Sequence, residues 1–300
     1  MGEKSTDHSN LNLSQLHLDV VNQNAGGKII WQPRIQCWID DKKYAGEQLP
    51  EPYNHMTKPE MYRELECSAR IYEYNGCFKR EEDERVETYS RKISENQTRH
   101  IKKTPVGQIS CVVEEVDSTW ADMTKEWWVT SEEDLKVAIW LEERCSYQWD
   151  QEHYDKTYKK WGDLGAPTIF MPRINIQHLY IDMMGVENAT FALVDYPDTV
   201  EKYFEALDRS HERLIKVIND SPIEIINFGD NVHSGTLSPD LFEQYVLPAY
   251  QRRNQLLHKG EKFTHAHWDG NTKSLLQYAP ETGLDGIEAV TPEPQGDVTL

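Results

Sequence analysis

From residue 165 onward, short apolar runs alternate with stretches of helical spacing, and this alternation constrains the fold more than any other feature. The apolar runs predicted to be strands are residues 167–171, 190–194, 223–228, 262–265 and 286–290. Helices are predicted between them, near 176–185, from Asp198 onward, from Ser238 onward and over about 271–279. Strands that alternate with helices predict an α/β fold with a parallel sheet.

Polar residues gather at the predicted strand ends, which favours a (β/α)8-type TIM barrel. They are Arg34, Arg173, Asp195, Asp230, His265, His267 and Glu288. An open doubly wound sheet also binds ligands at strand ends, but the sequence has no GxGxxG or GxxxxGK[ST] turn, which weakens a nucleotide-binding version. With residues 29–33 as the first strand, only six of the eight strands are present. We therefore expect the natural chain to continue past residue 300.

The first half of the chain is predicted to decorate this barrel. Residues 1–27 form a polar N-terminal arm, and residues 28–300 form the barrel domain. A helix is predicted over 56–74. Alternation over 84–113, with a turn at 105–107, predicts an inserted antiparallel β-ribbon. Ser131, followed by three acidic residues, predicts the N-cap of a helix that runs to about residue 148.

The charge and the cysteines exclude some functions. Asp and Glu number 51 against 32 Lys and Arg, so the net charge is −19 at pH 7. Because this field repels phosphate and anionic lipid, we expect no nucleic-acid or membrane partner. No apolar run reaches the roughly 20 residues of a bilayer span, and the N-terminus lacks a secretory signal. The five cysteines show no CxxC spacing, so we expect a cytoplasmic protein with reduced thiols. The sequence leaves open whether the protein forms a homodimer.

The segment Thr264–Asn271 carries the strongest chemical pattern. His265 and His267 lie two residues apart in a predicted strand, so their side chains point to one side. Imidazole nitrogens bind zinc, and a catalytic zinc typically has three protein ligands. Glu288, at the next strand end, is the predicted third ligand, and Asp269 is predicted to orient a histidine or to act as acid or base. The same spacing also fits two histidines that bind substrate or only form hydrogen bonds.

Further residues are predicted to contact substrate or to take part in catalysis: Trp31, Arg34, Arg173, Asp230, Asn231 and Trp268. The two arginines each follow a proline, and they fit either a two-pronged contact with a carboxylate or an ion pair. The Asp–Asn pair follows a strand in a glycine-containing loop, and it fits a ligand contact or a capped turn. The two tryptophans fit a pocket wall or the core.

Several segments together resemble the uroporphyrinogen decarboxylase superfamily. They are Ile226–Asn231, Ser238–Phe242, Val246–Pro248, His265–Gly270, Gly286–Glu288 and Thr291–Asp297. The ribbon at 84–113, followed by residues 131–136, is similar to the methyltransferase-like branch. That branch contains zinc-dependent, corrinoid-linked methyltransferases and O-demethylases. The resemblance implies a TIM barrel, although one superfamily hosts different chemistries.

The sequence departs from both chemistries of that superfamily. Its decarboxylases carry an arginine-rich RQAGR-type segment after the first strand, where this chain keeps only Arg34. Its coenzyme M methyltransferases bind zinc through an HxC pair and a distant cysteine. Here the pair is His265 and His267, so the third ligand is Glu288 or a residue beyond position 300.

The prediction is therefore a zinc-dependent methyltransferase that moves a methyl group from a small methylated donor, such as a methoxy compound, to a corrinoid on a partner protein. The predicted roles are metal binding by His265, His267 and Glu288, substrate positioning or proton handling by Asp230 and Asp269, and stacking by Trp31 and Trp268. One alternative is a cofactor-free decarboxylase that uses Asp230, Arg34 and Arg173. The other is a non-catalytic protein that binds a corrinoid or tetrapyrrole.

Overall fold

The computed structural model of the chain describes residues 12–116 and 122–299. The chain divides into two compact units, the first made of Met1–Cys77 and Asp150–Ile169, the second of Phe78–Trp149 and Phe170–Leu300. The arm and barrel boundary predicted near residue 27 stays a prediction. In the described parts of the chain, no helix is both long enough and apolar enough to span a bilayer.

Helices and strands are interspersed along the chain. The helices are α1 Leu13–Val21, α2 Ile35–Tyr44, α3 Lys58–Glu64, α4 Glu132–Arg144, α5 Gln151–Trp161, α6 Asn175–His178, α7 Val186–Asp195, α8 Pro197–Asn219, α9 Pro239–Leu241 and α10 Leu247–His258. The strands are β1 Phe78–Glu81, β2 Glu87–Lys92, β3 Gln97–Thr104, β4 Gly107–Glu114, β5 Met123–Glu126, β6 Ser146–Trp149, β7 Thr168–Met171, β8 Ile225–Val232, β9 Phe263–Trp268 and β10 Gly286–Glu288.

The first unit is mainly helical. The backbone N–H of Thr57 donates to Glu60 at 2.7 Å and starts α3. The helix predicted over 56–74 ends early, because Glu66 adopts a left-handed φ of 49° just after α3. The strand predicted over 29–33 is wrong. Ile29 is 85% exposed, and the described residues offer that segment no strand partner, so its apolar run alone does not make it a strand.

The second unit contains the predicted ribbon. Strands β2, β3, β4 and β5 form an antiparallel sheet in that order, so the ribbon over 84–113 is confirmed and extended by β5. Ser131 caps α4 as predicted, accepting a hydrogen bond from the backbone N–H of Asp134 at 3.2 Å. That helix stops at Arg144, short of the predicted end, because β6 pairs antiparallel with β1.

The site-bearing sheet has the order β10-β9-β8-β7. Strands β8 and β9 pair in parallel, as do β9 and β10, which confirms the α/β class. The strand predicted over 190–194 is wrong, because α7 covers it and buries Ala189 and Ala192 at helical spacing. Within residues 12–116 and 122–299, the sheet does not close into the predicted barrel.

The helices after α7 mostly follow the prediction. The long α8 buries one face, and the Ser238 side chain caps α9 by accepting from the Leu241 N–H at 3.2 Å. A π-helical turn at Phe242–Val246 precedes α10, and Pro248 lies in the first turn of α10. The helix predicted over 271–279 is wrong. A 3-10 segment at Leu276–Glu281 contains Pro280, which has no N–H to donate.

An aromatic core lies behind one face of this sheet. The ring of Phe228 is 5.5 Å from that of Tyr250, and the ring of Phe242 is 5.2 Å from that of Trp268. All four side chains are fully buried. Along β9, residues alternate between buried and half-buried positions, so Trp268 faces this core while the two histidines face the other side.

Candidate functional site

Strand register brings a polar cluster together on one face of β8, β9 and β10. Asn227 in β8 pairs with His265 in β9, and Glu288 in β10 pairs with His267. Paired residues of parallel strands point to the same side of the sheet, so all four side chains share a face. We call these four residues the histidine–glutamate cluster. Gly286, opposite His265, has no side chain to crowd this position.

Glu288 is the centre of the cluster. Its Oε1 lies 3.1 Å from His267 Nδ1, and its Oε2 lies 3.7 Å from His265 Nδ1. The carboxylate is about a quarter exposed, so solvent reaches it while the sheet holds its position. The sequence prediction placed these three residues at one site, and the structure brings them together.

Asn227 completes the cluster from the buried side. Its Nδ2 donates to Glu288 Oε1 at 2.8 Å, and the side chain is fully buried. Its Oδ1 has no hydrogen-bond partner among the described residues. A buried amide oxygen without a donor is uncommon, so the position is suited to a bound group that brings one.

The residue types of the cluster fit zinc. Two imidazoles and a carboxylate form a donor set that is common in catalytic zinc sites, and the orphaned Asn227 oxygen lies beside it. The side chains as they stand contact one another: across the described ranges, no group of three or more His, Cys, Asp or Glu side chains is spaced to hold a metal ion. Zinc binding by His265, His267 and Glu288 therefore stays a prediction.

Asp269 lies at the open side of the cluster. Its Oδ2 is 3.8 Å from His267 Nε2, which is beyond hydrogen-bonding distance, and its side chain is 46% exposed. The carboxylate therefore lies next to the histidine ring at a solvent-accessible position. This position suits the proton-handling role that the sequence predicts for it.

Asp230 occupies a different environment from the one expected for a ligand contact. It is fully buried, its Oδ1 accepts from the backbone N–H of Ile174 at 3.0 Å, and its Oδ2 accepts from the Tyr250 hydroxyl at 2.7 Å. Burial raises the pKa of the Asp230 carboxyl to about 6, against the lowering effect of these two hydrogen bonds. This geometry favours a structural role that ties the ends of β7 and β8 together, and the catalytic assignment stays a prediction.

Two neighbours of these residues were also predicted to bind substrate. Trp268 lies in the aromatic core, and its Nε1 donates to the Tyr250 hydroxyl at 3.4 Å, so the stacking role does not fit its position. Asn231 adopts a left-handed φ of 50° just after Asp230, and its side chain is exposed. Asparagine tolerates that conformation, which explains the residue without a ligand.

Arg173 is bound within the protein. Its Nη1 donates to Asp182 Oδ1 at 2.8 Å, while its Nε is buried without a partner among the residues that the structure describes. The sequence left open a carboxylate clamp or an ion pair, and the observed contact is the ion pair. A clamp would require the guanidinium to leave Asp182 or to share it.

Trp31 and Arg34 belong to the first unit. Trp31 is 59% exposed and lines a cavity of about 530 Å³ together with Leu13, Leu16 and Ile29. Arg34 is exposed at the start of α2. Their predicted contacts with substrate stay predictions.

Sequence reasoning missed Asn227 and Tyr250 as members of these networks. Asn227 is a polar residue inside the apolar run Ile225–Phe228, and such a residue needs a partner once buried. That signal could have pointed to a buried polar site. Tyr250 lies within an amphipathic helix and carries no comparable signal.

The fold and the cluster define an α/β protein with a histidine–carboxylate site on a parallel sheet. Residues 178–291 match the profile of the uroporphyrinogen decarboxylase (URO-D) family, so the predicted resemblance is confirmed over that segment. The segment contains all four cluster residues. Among the curated proteins, none matches the chain.

Among solved structures, the chain is similar to a methyltransferase from Methanosarcina mazei. The identity is 14%, the TM-score is 0.43, and the alignment covers 59% of this chain and 52% of that one. The chain thus spans about half the length of that methyltransferase.

Proposed function

We propose that the protein is an enzyme of the URO-D superfamily and a zinc-dependent methyltransferase. The methyl group would come from a small methylated donor, such as a methoxy compound, and pass to a corrinoid on a partner protein. The observation that carries the proposal is the convergence of His265, His267 and Glu288 from two adjacent parallel strands inside the URO-D segment.

In this proposal, the two histidines and Glu288 hold the metal. When bound, zinc supplies a Lewis acid at the heteroatom that leaves the methyl group. Asp269 lies on the exposed side, where it orients the donor and delivers a proton to the departing oxygen. The bond between methyl carbon and oxygen breaks with its electron pair going to oxygen. The partner's reduced corrinoid would supply the electron pair that accepts the methyl group, and the protonated oxygen would leave as an alcohol.

A uroporphyrinogen-type decarboxylase is the second candidate, because the matching family profile is named for that activity. Such an enzyme needs cationic groups for several substrate carboxylates and an acid near the reacting pyrrole. Arg173 is paired with Asp182, and Asp230 is buried with both oxygens occupied. These contacts favour the methyltransferase.

Two broader features belong to the same proposal. We propose that the parallel sheet is part of a (β/α)8-type barrel, since its polar cluster lies toward the C-terminal ends of the strands, where such barrels place their sites. We also propose a cytoplasmic location, with which the five free cysteines accord.

The test begins with the zinc content of the purified protein, measured by elemental mass spectrometry. Methyl transfer is then followed by the absorbance change as cob(I)alamin becomes methylcobalamin, with methoxy compounds as donors. The double variant His265→Ala/His267→Ala should lose both zinc and transfer. His258→Ala is the matched control, because His258 also pairs with a carboxylate, Asp285 at 3.0 Å, outside the cluster.

Each outcome decides between the candidates. About one zinc per chain, lost in the double variant and kept in the control, supports the methyltransferase. A protein that takes up no zinc and decarboxylates a porphyrinogen without metal would establish the second candidate. A stable bound corrinoid with no turnover of any donor would favour a non-catalytic binding protein.

A further inference from the structure

Asn227 stands at a position that the URO-D resemblance and the metal prediction do not assign. It is the β8 residue that pairs with His265, and its Nδ2 is 2.8 Å from Glu288 Oε1. It therefore links the third strand of the cluster to the carboxylate at its centre. It is fully buried, so a water molecule does not readily take the place of this hydrogen bond when it is lost.

Glu288 fixes which way the Asn227 amide points. Nδ2 can donate to the carboxylate, whereas Oδ1 in the same place would bring two acceptors together. The amide oxygen therefore points elsewhere, and it has no donor among residues 12–116 and 122–299.

An orphaned amide oxygen alone is not specific, because Asn254 has one as well. The Asn254 Nδ2 donates to the backbone oxygen of Thr282 at 2.9 Å, while its Oδ1 is buried without a partner in the described ranges. The difference lies in the acceptor. Asn227 binds a side-chain carboxylate that two histidines also face, and Asn254 binds only backbone.

We propose that Asn227 is a positioning residue for the metal site, which orients Glu288 so that its carboxylate faces both histidines. This inference rests on the proposed function, since it assumes that Glu288 binds zinc. The amide holds Oε1 through Nδ2 at 2.8 Å, which fixes the carboxylate in the orientation where Oε2 lies 3.7 Å from His265 Nδ1. Partners of this kind set metal affinity, because a ligand that must be reoriented binds less tightly.

The experiment compares zinc binding by the whole chain and three variants. Zinc affinity is measured by competition with a chromogenic chelator, and the cobalt(II) form is examined by its visible absorption spectrum. Asn227→Leu keeps the size of the side chain and removes the donor. Asn254→Leu makes the same change at the matched position, and Asn227→Ser keeps a polar group that is too short to reach Glu288.

We expect Asn227→Leu and Asn227→Ser to bind zinc about 10–100-fold more weakly, as is typical when a partner of a metal ligand is removed. Their cobalt(II) spectra should differ from that of the native protein, because the carboxylate changes its orientation. Asn254→Leu should keep both the affinity and the spectrum. Circular dichroism checks that each variant is folded, and the serine variant serves if the leucine variant is not.

Three results would overturn the inference. If the native protein binds no zinc, the metal part of the proposed function is refuted, and this inference is refuted with it. If the native protein binds zinc and the Asn227 variants bind it with equal affinity and an unchanged cobalt(II) spectrum, only the role of Asn227 is refuted. Equal losses in the Asn227 and Asn254 variants would show a general effect on folding in place of positioning.

Discussion

Replacing Asp230 with asparagine should change how the stability of the protein depends on pH. The Asp230 carboxyl is fully buried, and burial raises its pKa from the ordinary 3.8 to about 6. Asparagine has the same shape and keeps an oxygen that can accept from the Ile174 N–H. The substitution therefore removes the titration with little change in packing.

The sign of the effect follows from proton binding. Between the two pKa values, the folded state holds a proton on Asp230 that the unfolded state has released. The free energy of unfolding therefore falls as the pH rises through that window. A pKa difference of about 2 corresponds to about 3 kcal/mol in total, of which about 1 kcal/mol falls between pH 5 and pH 7.

Urea unfolding followed by circular dichroism at pH 5, 6 and 7 measures this effect. The native protein should lose about 1 kcal/mol more unfolding free energy than Asp230→Asn over this range, since all other groups are common to both. Asp155→Asn, at an exposed carboxylate of α5, should follow the native protein. Parallel pH profiles for the native protein and Asp230→Asn would refute the argument.

Three further predictions follow from other contacts. Tyr250→Phe removes the hydroxyl that donates to Asp230 at 2.7 Å, so the free energy of unfolding should fall by about 1–2 kcal/mol. Because that hydrogen bond lowers the pKa of Asp230, the pH at which stability is lost should move upward. An unchanged pH dependence would contradict this. Arg80→Met leaves Glu142, whose two oxygens accept from Arg80 at 2.9 Å, buried without that partner. The free energy of unfolding, measured with urea, should fall by about 3 kcal/mol. A fall of less than about 1 kcal/mol would show that the Arg80–Glu142 ion pair contributes little. In the folded protein, iodoacetamide should label the half-buried Cys37 first, because burial raises the pKa of three other thiols to about 11 or 12. Those thiols are Cys67, Cys77 and Cys111. Peptide mass spectrometry after partial labelling measures the order of reaction.

Much of the candidate site could be predicted from the sequence. The two-residue spacing of His265 and His267 places them on one side of any strand, and the spacing alone shows this. Glu288 followed from its place at the end of the next strand. The partner of Asn227 could not be predicted, because it lies 61 residues away along the chain and is chosen by the pairing of three strands.

The roles of Asp230 and Trp268 depended on burial, which a strand-end position does not reveal. Both residues lie at the end of a strand, where a ligand contact and a core contact have the same local pattern. Tyr250 from α10 packs against both of them and turns them toward the interior. Only the placement of that helix distinguishes the two outcomes.

The sequence by itself determined the class of the fold, the ribbon over 84–113, the cap of α4, and the shared face of the two histidines. These features depend on spacing and capping within a few residues of one another, and local backbone geometry sets them. The tertiary structure decided that residues 190–194 form a helix, that residues 29–33 form no strand, and that Glu288 meets both histidines. A short apolar run is compatible with helix, strand or an irregular segment, and its conformation is chosen by the surfaces and strand edges that distant parts of the chain bring to it.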